Sequence, residues 1–561
     1  MSSPKPSSEA AEAFALNLLP AEVVANVFFW LPNSDIKALR LTSSRCHEIA
    51  SAHFRLGRVF LSPNPLNIRV FREVASHEKL RLGVREIVWD DAPLMKKIEL
   101  GWGELDDETM EHEYTLANNP EPPEGVPYWF AYAYVEETDE LKIRRRYDGR
   151  DCQRPEHVAR MKQLEAQLPL DEAWAYHQEL VRQQDEAMAA EADGAALEDA
   201  LENGYFPNLK RITITPAAHG ILFTPLYQTP MIRSFPHGFV YPVPRGWPCP
   251  RLGSGLGTYG WDHGETFDFW RGFSIVTRIL ARRKDTNVPE LVLDVNHLRT
   301  GLQSRIFSND GPNQHYDNLV EILKRPGFSR LDLPVLVGGQ MYEGWPSLRS
   351  PLLREALECA PDMEHFSFRT GMDEHPGRMY GDAPNTPEVD HEAHFVPLAS
   401  LFPVATWSNL RHFGLARLMV KQNDLLALLG AMPETLRSVE FSFLYFLSGS
   451  GSFKGLLAGI RNELGWRERA VRPRISIAQE SNHDIDGRYS WVDEEVNDYV
   501  YGNGANPFAI DPSGSVVRNY HGIGIERDAF DSGHEKRNEV RTVAFFDPRD
   551  YQKSSTNVSG S

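Results

Sequence analysis

The stretch Val84-Arg85-Glu86-Ile87-Val88-Trp89 sets the pattern on which the fold of this chain depends. Its apolar anchor residues stand at the first, fourth and sixth positions. The last two are two residues apart, so both side chains lie on one face of a short strand, while the first anchors the turn that leads into it. The pattern therefore predicts a strand with one buried face.

Six further segments share this pattern and bring the number of copies to seven: 209–214, 288–293, 328–333, 363–368, 410–415 and 436–441. A proline closely precedes most of them, which suits a turn between a helix and a strand. Helix-like stretches lie between or after the later copies, at 318–324, 352–359, 424–431 and 453–464. Because a strand and a helix cannot close a core alone, we expect such units to stack sideways into a solenoid of short parallel strands and helices.

These units look like divergent leucine-rich repeats, a family in which the strands line a concave face. They depart from that family because they lack its regular Asn and vary in length, with successive copies from residue 288 starting 40, 35, 47 and 26 residues apart. A non-repetitive α/β domain with buried parallel strands would share much of the same pattern, so it remains an alternative. Both interpretations place the chain in the α/β class.

A second informative stretch lies near the start of the chain, at 18–32 (Leu-Leu-Pro-Ala-Glu-Val-Val-Ala-Asn-Val-Phe-Phe-Trp-Leu-Pro). Pro20 suits the first turn of a helix because it lacks only an N–H that would be unpaired there. Val24, Val27 and Leu31 recur at helical spacing and predict one apolar stripe. Pro32 is expected to end this helix.

Two more short helices are predicted after this one. The second carries Ile36 and Leu39, and the third has its apolar positions at Cys46, Ile49, Ala50, His53 and Phe54. Three short helices in about 40 residues bury little of their own surface. Since Leu19, Phe28, Phe29, Trp30 and Leu31 are more than so small a trio can cover, we expect it to lean on the rest of the chain or on another protein.

Residues 14–60 resemble an F-box. The resemblance rests on the Leu19-Pro20 pair, on Leu31-Pro32 at the end of the first helix, and on these further positions: Glu22, Ile36, Leu39, Leu41 and the run Ser43-Ser44-Arg45-Cys46-His47. Cys46 stands where the family commonly has Trp. The resemblance implies docking on a Skp-type adaptor, and through it on a cullin ubiquitin ligase. The partner-binding residues that it points to are Leu19, Pro20, Val24, Leu31 and Leu39.

The composition excludes several classes of function. The chain has 561 residues and a net charge of −19, which argues against nucleic-acid binding because phosphate contacts need a basic surface. No apolar run approaches the ~20 residues needed to span a bilayer, and the first residues lack the apolar core of a signal peptide. The four cysteines lie far apart, which predicts reduced thiols. We therefore expect a cytoplasmic or nuclear protein without a membrane partner.

Two insertions are expected to interrupt the array, at 91–203 and 216–270. Within the first, 128–135 alternates aromatic and small residues and is predicted to pair with 140–146 as a strand hairpin, while 154–203 is helical in composition, acidic, and broken at Pro169. Residues 481–546 keep aromatic side chains and are expected to pack on the array. The termini, 1–13 and 547–561, have the composition of disordered tails.

Possible catalytic and ligand motifs are weak. The glycine-rich stretch 253–260 lacks the Lys and Ser/Thr of a phosphate-binding loop. His391 and His394 have the wrong spacing for a zinc-protease helix, and the neighbouring residues His375, Asp390 and Glu392 favour a solvated loop over a metal site. Residues 262–265 offer acid and base types without a recognisable nucleophile. The sequence therefore predicts no cofactor, no metal and no catalysis by this chain.

These observations predict the substrate-recognition subunit of a Skp-cullin-F-box ubiquitin ligase, with the F-box at 14–60 and a target protein, not identified by the sequence, bound by an array at 61–480. Such a receptor contributes proximity, and other subunits supply the chemistry. Two alternatives remain. One is an interaction scaffold that delivers nothing for ubiquitination, and the other is a metal-assisted hydrolase that uses the histidines of 375–394.

Overall fold

The computed structural model describes residues 19–31, 33–53, 56–96, 99–100, 103–104, 107–117, 119–147, 153–248, 267–283, 287–309, 311–337, 344–372, 395–447, 449–480, 485, 487–508 and 524–531. The predicted terminal tails, the glycine-rich stretch 253–260, residues 262–265 and the histidines of 375–394 lie outside these residues.

The first half of the chain is mainly helical. Its elements are α1 (Ala21–Trp30), α2 (Asn33–Arg40), α3 (Ser44–His53), β1 (Arg58–Leu61), α4 (Pro65–Ser76), α5 (Leu80–Gly83), β2 (Glu86–Asp90), β3 (Glu99–Leu100), β4 (Gly103–Glu104), α6 (Asp107–Leu116), α7 (Tyr128–Tyr147), α8 (Pro155–Glu165), α9 (Leu170–Ala189) and α10 (Ala192–Glu202). The three helices predicted before residue 60 are therefore present.

Strands and helices alternate in the rest of the chain. These elements are β5 (Arg211–Thr215), α11 (Pro230–Arg233), α12 (Arg271–Arg282), β6 (Glu290–Leu293), β7 (Leu302–Gln303), α13 (Gln314–Leu323), β8 (Arg330–Leu336), α14 (Pro346–Arg349), α15 (Leu352–Glu358), β9 (His365–Thr370), α16 (Leu398–Leu401), β10 (His412–Ala416), β11 (Met419–Val420), α17 (Gln422–Gly430), β12 (Ser438–Ser442), β13 (Tyr445–Phe446), α18 (Phe453–Glu463), β14 (Arg474–Ser476), β15 (Ala478–Glu480), β16 (Arg488–Trp491), α19 (Asp493–Tyr501) and β17 (Ile525–Asp528). All seven predicted strands and the four predicted intervening helices are confirmed.

One open, parallel sheet organises the molecule. Its strands lie side by side in chain order, β1-β2-β5-β6-β8-β9-β10-β12-β14, with the short β7 added beside β8. Every neighbouring pair along this path is parallel, and the described residues form no closed barrel. The helices α12, α13, α15, α16, α17 and α18 likewise each contact the next. The chain is thus a mixed α/β protein in which each strand is laid down beside the previous one.

The apolar pattern of the sequence fills the main core. In the copy that begins at Val84, that residue, Ile87 and Trp89 are all fully buried. The corresponding side chains of the other strands stack beside them in the same core. Parallel strands that are covered by helices on one face are expected to carry such an apolar row.

A repeated backbone contact fixes the register of the strands. At six described strands, the first residue of the strand and the residue before it both donate their N–H groups to one carbonyl of the preceding unit. Arg411 and His412, for example, donate to Glu364 O at 2.7 and 3.0 Å. At Glu290 and Arg474 a single N–H donates, because the residue before each of them is a proline without an N–H.

A second core lies beside the sheet and is built largely from the insertions. It brings together α7, α9 and the irregular segment 221–243, with Phe130, Phe239 and Tyr241 buried among them. The prediction of helices at 154–203 is confirmed, and Pro169 stands as the N-cap of α9. The prediction of a hairpin at 128–146 is wrong, because this segment is the continuous helix α7.

The physical reason for that error is visible in the burial of α7. Trp129, Phe130, Ala133, Tyr134 and Leu141 are buried, and their spacing places them on one side of a helix rather than on one face of a strand. The alternating aromatic and alanine residues resemble a strand pattern, but the buried ones among them, such as Phe130 and Tyr134, are also one helical turn apart. Tertiary burial of the helix face therefore decides the structure of this segment.

The described residues of 481–546 contact the last strand of the parallel sheet and form part of a small sheet beside it. Strands β15, β16 and β17 form a small antiparallel sheet, and α19 contacts β14. The Asp493 carboxylate accepts hydrogen bonds from Ser476 Oγ at 3.0 Å and Ile477 N at 3.2 Å, which joins α19 to the last strands. Residues 509–523 and 532–546 of this segment lie outside the described residues.

Candidate functional site

The trio of α1, α2 and α3 has a small core of its own, separate from the main core. Val24, Phe28, Ile36 and Ala50 are buried in it, and Leu19, Leu31, Leu39 and Ile49 pack against it half-buried. Pro20 is the N-cap of α1, and its carbonyl accepts hydrogen bonds from Val23 N and Val24 N. Arg45 Nη2 donates to Leu19 O at 2.6 Å and so ties the start of α1 to α3.

The residues of the predicted apolar stripe on α1 do not all lie on one side of the helix: Val24 is buried and Val27 is exposed. Val24, one of the five expected partner-binding residues, is 1% exposed and lies inside the trio, so it cannot touch a partner in this conformation. Pro20 is exposed, and Leu19, Leu31 and Leu39 are half-buried. Val24 turns inward because it shares one helix face with Phe28, four residues later, and both side chains meet α2 and α3.

The trio also exposes a different apolar set. Val23, Val27 and Trp30 follow each other at intervals of four and three residues, so they share a face of α1. Trp30 is 80% exposed and Leu41, in the turn after α2, is 89% exposed. The ring of Phe29 contacts that of Trp30 edge-on with centroids 5.2 Å apart. We call this set the trio surface: Val23, Val27, Phe29, Trp30 and Leu41.

Sequence reasoning recognised part of the trio surface. The excess of apolar residues at Phe29 and Trp30 is visible in the sequence, and Leu41 is one of the positions that resemble an F-box. Val23 is not among the predicted residues, and Val27 is predicted to share one stripe with Val24 and Leu31, whereas the structure exposes Val27 and buries Val24. The sequence does contain a pattern that could identify these residues: α1 has two apolar faces, one with Val24 and Phe28 and one with Val23 and Val27.

A second candidate surface runs across the sheet at the first residue of each strand. This strand-start row consists of Arg58, Glu86, Arg211, Glu290, Arg330, His365, His412, Ser438 and Arg474. Opposite charges meet at its N-terminal end: Arg58 Nε lies 2.7 Å from Glu86 Oε2, and Arg211 Nε donates to Glu290 Oε2 at 2.6 Å. Such cross-strand pairs hold the row in place.

Two histidines of the strand-start row, His365 and His412, lie near Asp332, which follows Arg330 by two residues on β8. Burial by itself raises the pKa of Asp332, but the hydrogen bonds from His365 and Arg330 outweigh it, so the pKa is lowered. His365 Nε2 lies 3.0 Å from Asp332 Oδ1, and the His365 ring stacks on His412 with centroids 4.2 Å apart. Burial, with the neighbouring His365, lowers the pKa of His412 to about 4.

This geometry favours binding over nucleophilic catalysis. His412 Nδ1 lies 2.8 Å from Ser438 Oγ, which is the contact that a serine nucleophile needs from its base. However, His365 stacks on His412 instead of hydrogen bonding to it, so Asp332 does not orient this base. With a pKa of about 4, His412 is also a weak base at neutral pH. The row carries donors and acceptors at fixed positions.

A buried acid cluster lies at the carboxyl ends of β2 and β5. Burial raises the pKa of Asp90 to about 8, and burial lowers the pKa of His219 to about 3. The two side chains approach to 3.9 Å, and His219 Nδ1 lies 2.9 Å from Tyr241 Oη. Because Asp90 and His219 are almost fully buried, a substrate cannot reach them, and we assign them to stability.

The raised pKa of Asp90 predicts an unusual dependence of stability on pH. The unfolded chain ionises Asp90 near its ordinary pKa of 3.8, whereas the folded chain keeps the proton to about pH 8. Unfolding then releases a proton, so the free energy of unfolding falls by about 1.4 kcal/mol per pH unit between these values. From pH 6.5 to 8 we expect a loss of about 2 kcal/mol from this group. Buried histidines such as His219 act in the opposite direction at the lower end of this range, because they take up protons on unfolding near pH 6.5. The Asp90 contribution is therefore the difference between the wild type and a variant that lacks this carboxyl group.

The Asp90→Asn variant tests this expectation by urea unfolding at pH 6.5 and at pH 8. Between the two pH values the free energy of unfolding of the wild type should fall by about 2 kcal/mol relative to that of the variant, because the variant side chain carries no titratable proton. Asp139→Asn, at an exposed site on α7, serves as the control and should keep the wild-type decrease. An identical decrease in the wild type and the Asp90 variant would show that Asp90 does not cause it.

The described residues contain no group of three or more His, Cys, Asp or Glu side chains that could hold a metal ion. None of the described helices is long and apolar enough to cross a membrane. Of the four cysteines, Cys46 and Cys359 lie in the described part of the chain, and both are free thiols there.

No protein-family model matches the chain, and no curated protein gives a significant match to its sequence.

Proposed function

We propose that this chain is the substrate receptor of a Skp-cullin-F-box ubiquitin ligase. In this proposal the trio is an F-box that binds a Skp-type adaptor, and the parallel sheet with its helices is a solenoid of leucine-rich-repeat-like units that binds a target protein. The chain then holds the target near a ubiquitin-loaded enzyme, which other subunits supply.

The trio surface is the observation that carries the proposal. Apolar residues exposed singly are normal, but a three-helix unit that exposes five of them, three on one face of α1, is a candidate protein interaction site. Fully burying a large apolar side chain is worth about 1.5–3 kcal/mol. Trp30 and Leu41 are among the most exposed apolar residues described, so a partner that covers them gains the most.

The small core of the trio also supports an interaction role. Because this core is separate from the main one, the trio can present its outer face without disturbing the sheet. An apolar helix face that enters a groove on a partner is a common mode of recognition. In this mode Trp30, with Val23 and Val27 on the same face, supplies the anchor.

The order of the sheet supports a repeat array. Each strand pairs with the strand of the preceding unit, and the helices α12, α13, α15, α16, α17 and α18 follow one another in the same sense. Contacts between successive units are what a solenoid requires. The strand-start row then lies across several units and offers polar groups at spacings set by the strands, about 4.8 Å apart. We assign target binding to this face.

Affinity purification from cells, with and without proteasome inhibition, tests the proposed function. The wild-type chain should recover a Skp-type adaptor and a cullin, together with ubiquitinated proteins that accumulate under inhibition. The double variant Trp30→Ala and Leu41→Ala should lose adaptor and cullin but keep the bound target. If the adaptor is recovered without any partner that is ubiquitinated, the chain is a scaffold, and if no adaptor is recovered, the proposal is wrong.

A further inference from the structure

The segment 525–531 lies between the helical insertion and the array like a bound peptide. Its strand β17 is at the edge of the small antiparallel sheet and pairs with β16, so that Arg488 faces Asp528 and Trp491 faces Ile525. Beyond the strand, Ala529 N donates to Gly487 O at 2.8 Å. Addition of an extended segment to a sheet edge is a recurring mode of peptide recognition.

Four buried arginines surround this segment: Arg144 on α7, Arg154 and Arg160 at α8, and Arg488 on β16. We call them the arginine site. The first three belong to the insertion, far from 525–531 in sequence. Such a concentration of buried like charges is costly unless anions are present to compensate it.

The segment provides carboxylates for three of these arginines, and Glu140 Oε1 on α7 accepts a further hydrogen bond from Arg144 Nε at 3.0 Å. Asp528 Oδ2 accepts a hydrogen bond from Arg488 Nε at 3.1 Å and lies 3.6 Å from Arg144 Nη1. Asp531 Oδ2 accepts from Arg154 Nη1 at 3.0 Å, and a Glu526 oxygen lies 3.8 Å from Arg488 Nη1. Burial lowers the pKa of Arg160, and the carboxylates of Asp528 and Asp531 act against this shift.

An aromatic anchor completes the contact. Phe530 is buried, its ring lies 4.5 Å from the His297 ring, and the Arg144 guanidinium sits 5.0 Å from its centroid. Gly487, at a φ of 82°, leaves space for this ring, because a Cβ at that position would come within 2.7 Å of it. The site thus recognises one phenyl group and the carboxylates on either side of it.

We propose that the arginine site is a receptor for an acidic, phenylalanine-containing strand of another protein, and that residues 525–531 occupy it in cis as an autoinhibitory ligand. The pattern is acidic at the positions of Glu526, Asp528 and Asp531, with Phe at the position of Phe530. Because breaking a buried ion pair by removing one partner is strongly destabilising, the cis ligand is exchanged for another strand that supplies equivalent carboxylates. Its place at a sheet edge lets it leave without breaking the parallel sheet.

This inference does not rest on the proposed ligase function, since no adaptor takes part in it. The test uses the full chain and a fluorescent peptide with the sequence of residues 524–531 (Gly-Ile-Glu-Arg-Asp-Ala-Phe-Asp). The cis ligand is weakened by Phe530→Ala or, more mildly, by Asp531→Asn. Fluorescence anisotropy reports peptide binding, and thermal unfolding reports whether each variant remains folded.

We expect the Phe530→Ala chain to bind the peptide at least about tenfold more tightly than the wild type, because the cis ligand lowers the fraction of open sites. Asp531→Asn should give a smaller increase. A control peptide with Asn at both Asp positions and Ala in place of Phe should not bind to either variant.

Two results would overturn the proposal. The first is a folded variant that binds the peptide no better than the wild type does. The second is global unfolding of both variants, because it would show that 525–531 cannot leave the site without loss of the fold and is therefore a structural part of it.

Discussion

Replacing Phe366 with alanine is expected to lower the free energy of unfolding by about 3–5 kcal/mol. Phe366 is fully buried on β9, and its ring packs against those of Phe402, Trp407 and Phe413 at centroid distances of 5.6, 5.0 and 6.0 Å. Truncation loses these contacts and leaves a cavity that three rigid aromatic neighbours cannot fill. Because β9 lies in the middle of the sheet, this loss reaches both adjoining units.

Urea unfolding, followed by tryptophan fluorescence and circular dichroism, measures this effect. Ser367→Ala is the matched control, because Ser367 is the next residue on the same strand, points to the opposite face and is half-buried. We expect the control to change stability by less than about 0.5 kcal/mol. If both variants unfold at the same urea concentration, the apolar row of the strands is not what holds the array together.

Replacing Trp30 with alanine is expected to weaken binding of a Skp-type adaptor by at least about thirtyfold. Tryptophan is among the residue types that most often dominate an interface. Since its side chain is 80% exposed in the free chain, its removal should leave the thermal stability of the chain nearly unchanged. Loss of affinity with retained stability separates a binding role from a role in the core of the trio.

Leu116→Ala provides the control for this substitution. Leu116 is an apolar helical residue that is 63% exposed, but it lies on α6, outside the trio. Surface plasmon resonance measures the affinity of both variants for the adaptor. We expect Leu116→Ala to bind the adaptor with wild-type affinity. If the Trp30 and Leu116 variants both retain wild-type affinity, the trio surface is not the docking surface.

The parallel strands could be predicted from sequence because their signal is local. Each copy places its buried residues within six positions, as Val84, Ile87 and Trp89 illustrate, and the burial of one strand does not depend on the details of its neighbours. The carbonyl contacts before the strands, such as those from Arg411 and His412 to Glu364, then impose a common register through the backbone alone. A local pattern and a backbone contact are enough to specify this part of the fold.

Other features depend on contacts that a single sequence does not reveal. The aromatic segment of α7 satisfies a strand pattern locally, and its burial against α9 decides in favour of a helix. Val24 and Val27 are both apolar and three residues apart, so their spacing alone does not tell which of them faces α2 and α3. The pairing of Arg154 with Asp531 joins residues 377 positions apart, and no local rule predicts it.

A calorimetric titration of the full chain with a purified Skp-type adaptor, combined with hydrogen exchange on the complex, tests the central claim most directly. We expect a one-to-one complex in which amide exchange slows in α1, α2 and α3 and stays unchanged in strands β8 to β12. Absence of binding, or slowed exchange that is confined to the sheet while the trio is unaffected, would contradict the assignment of the trio as the adaptor-binding unit.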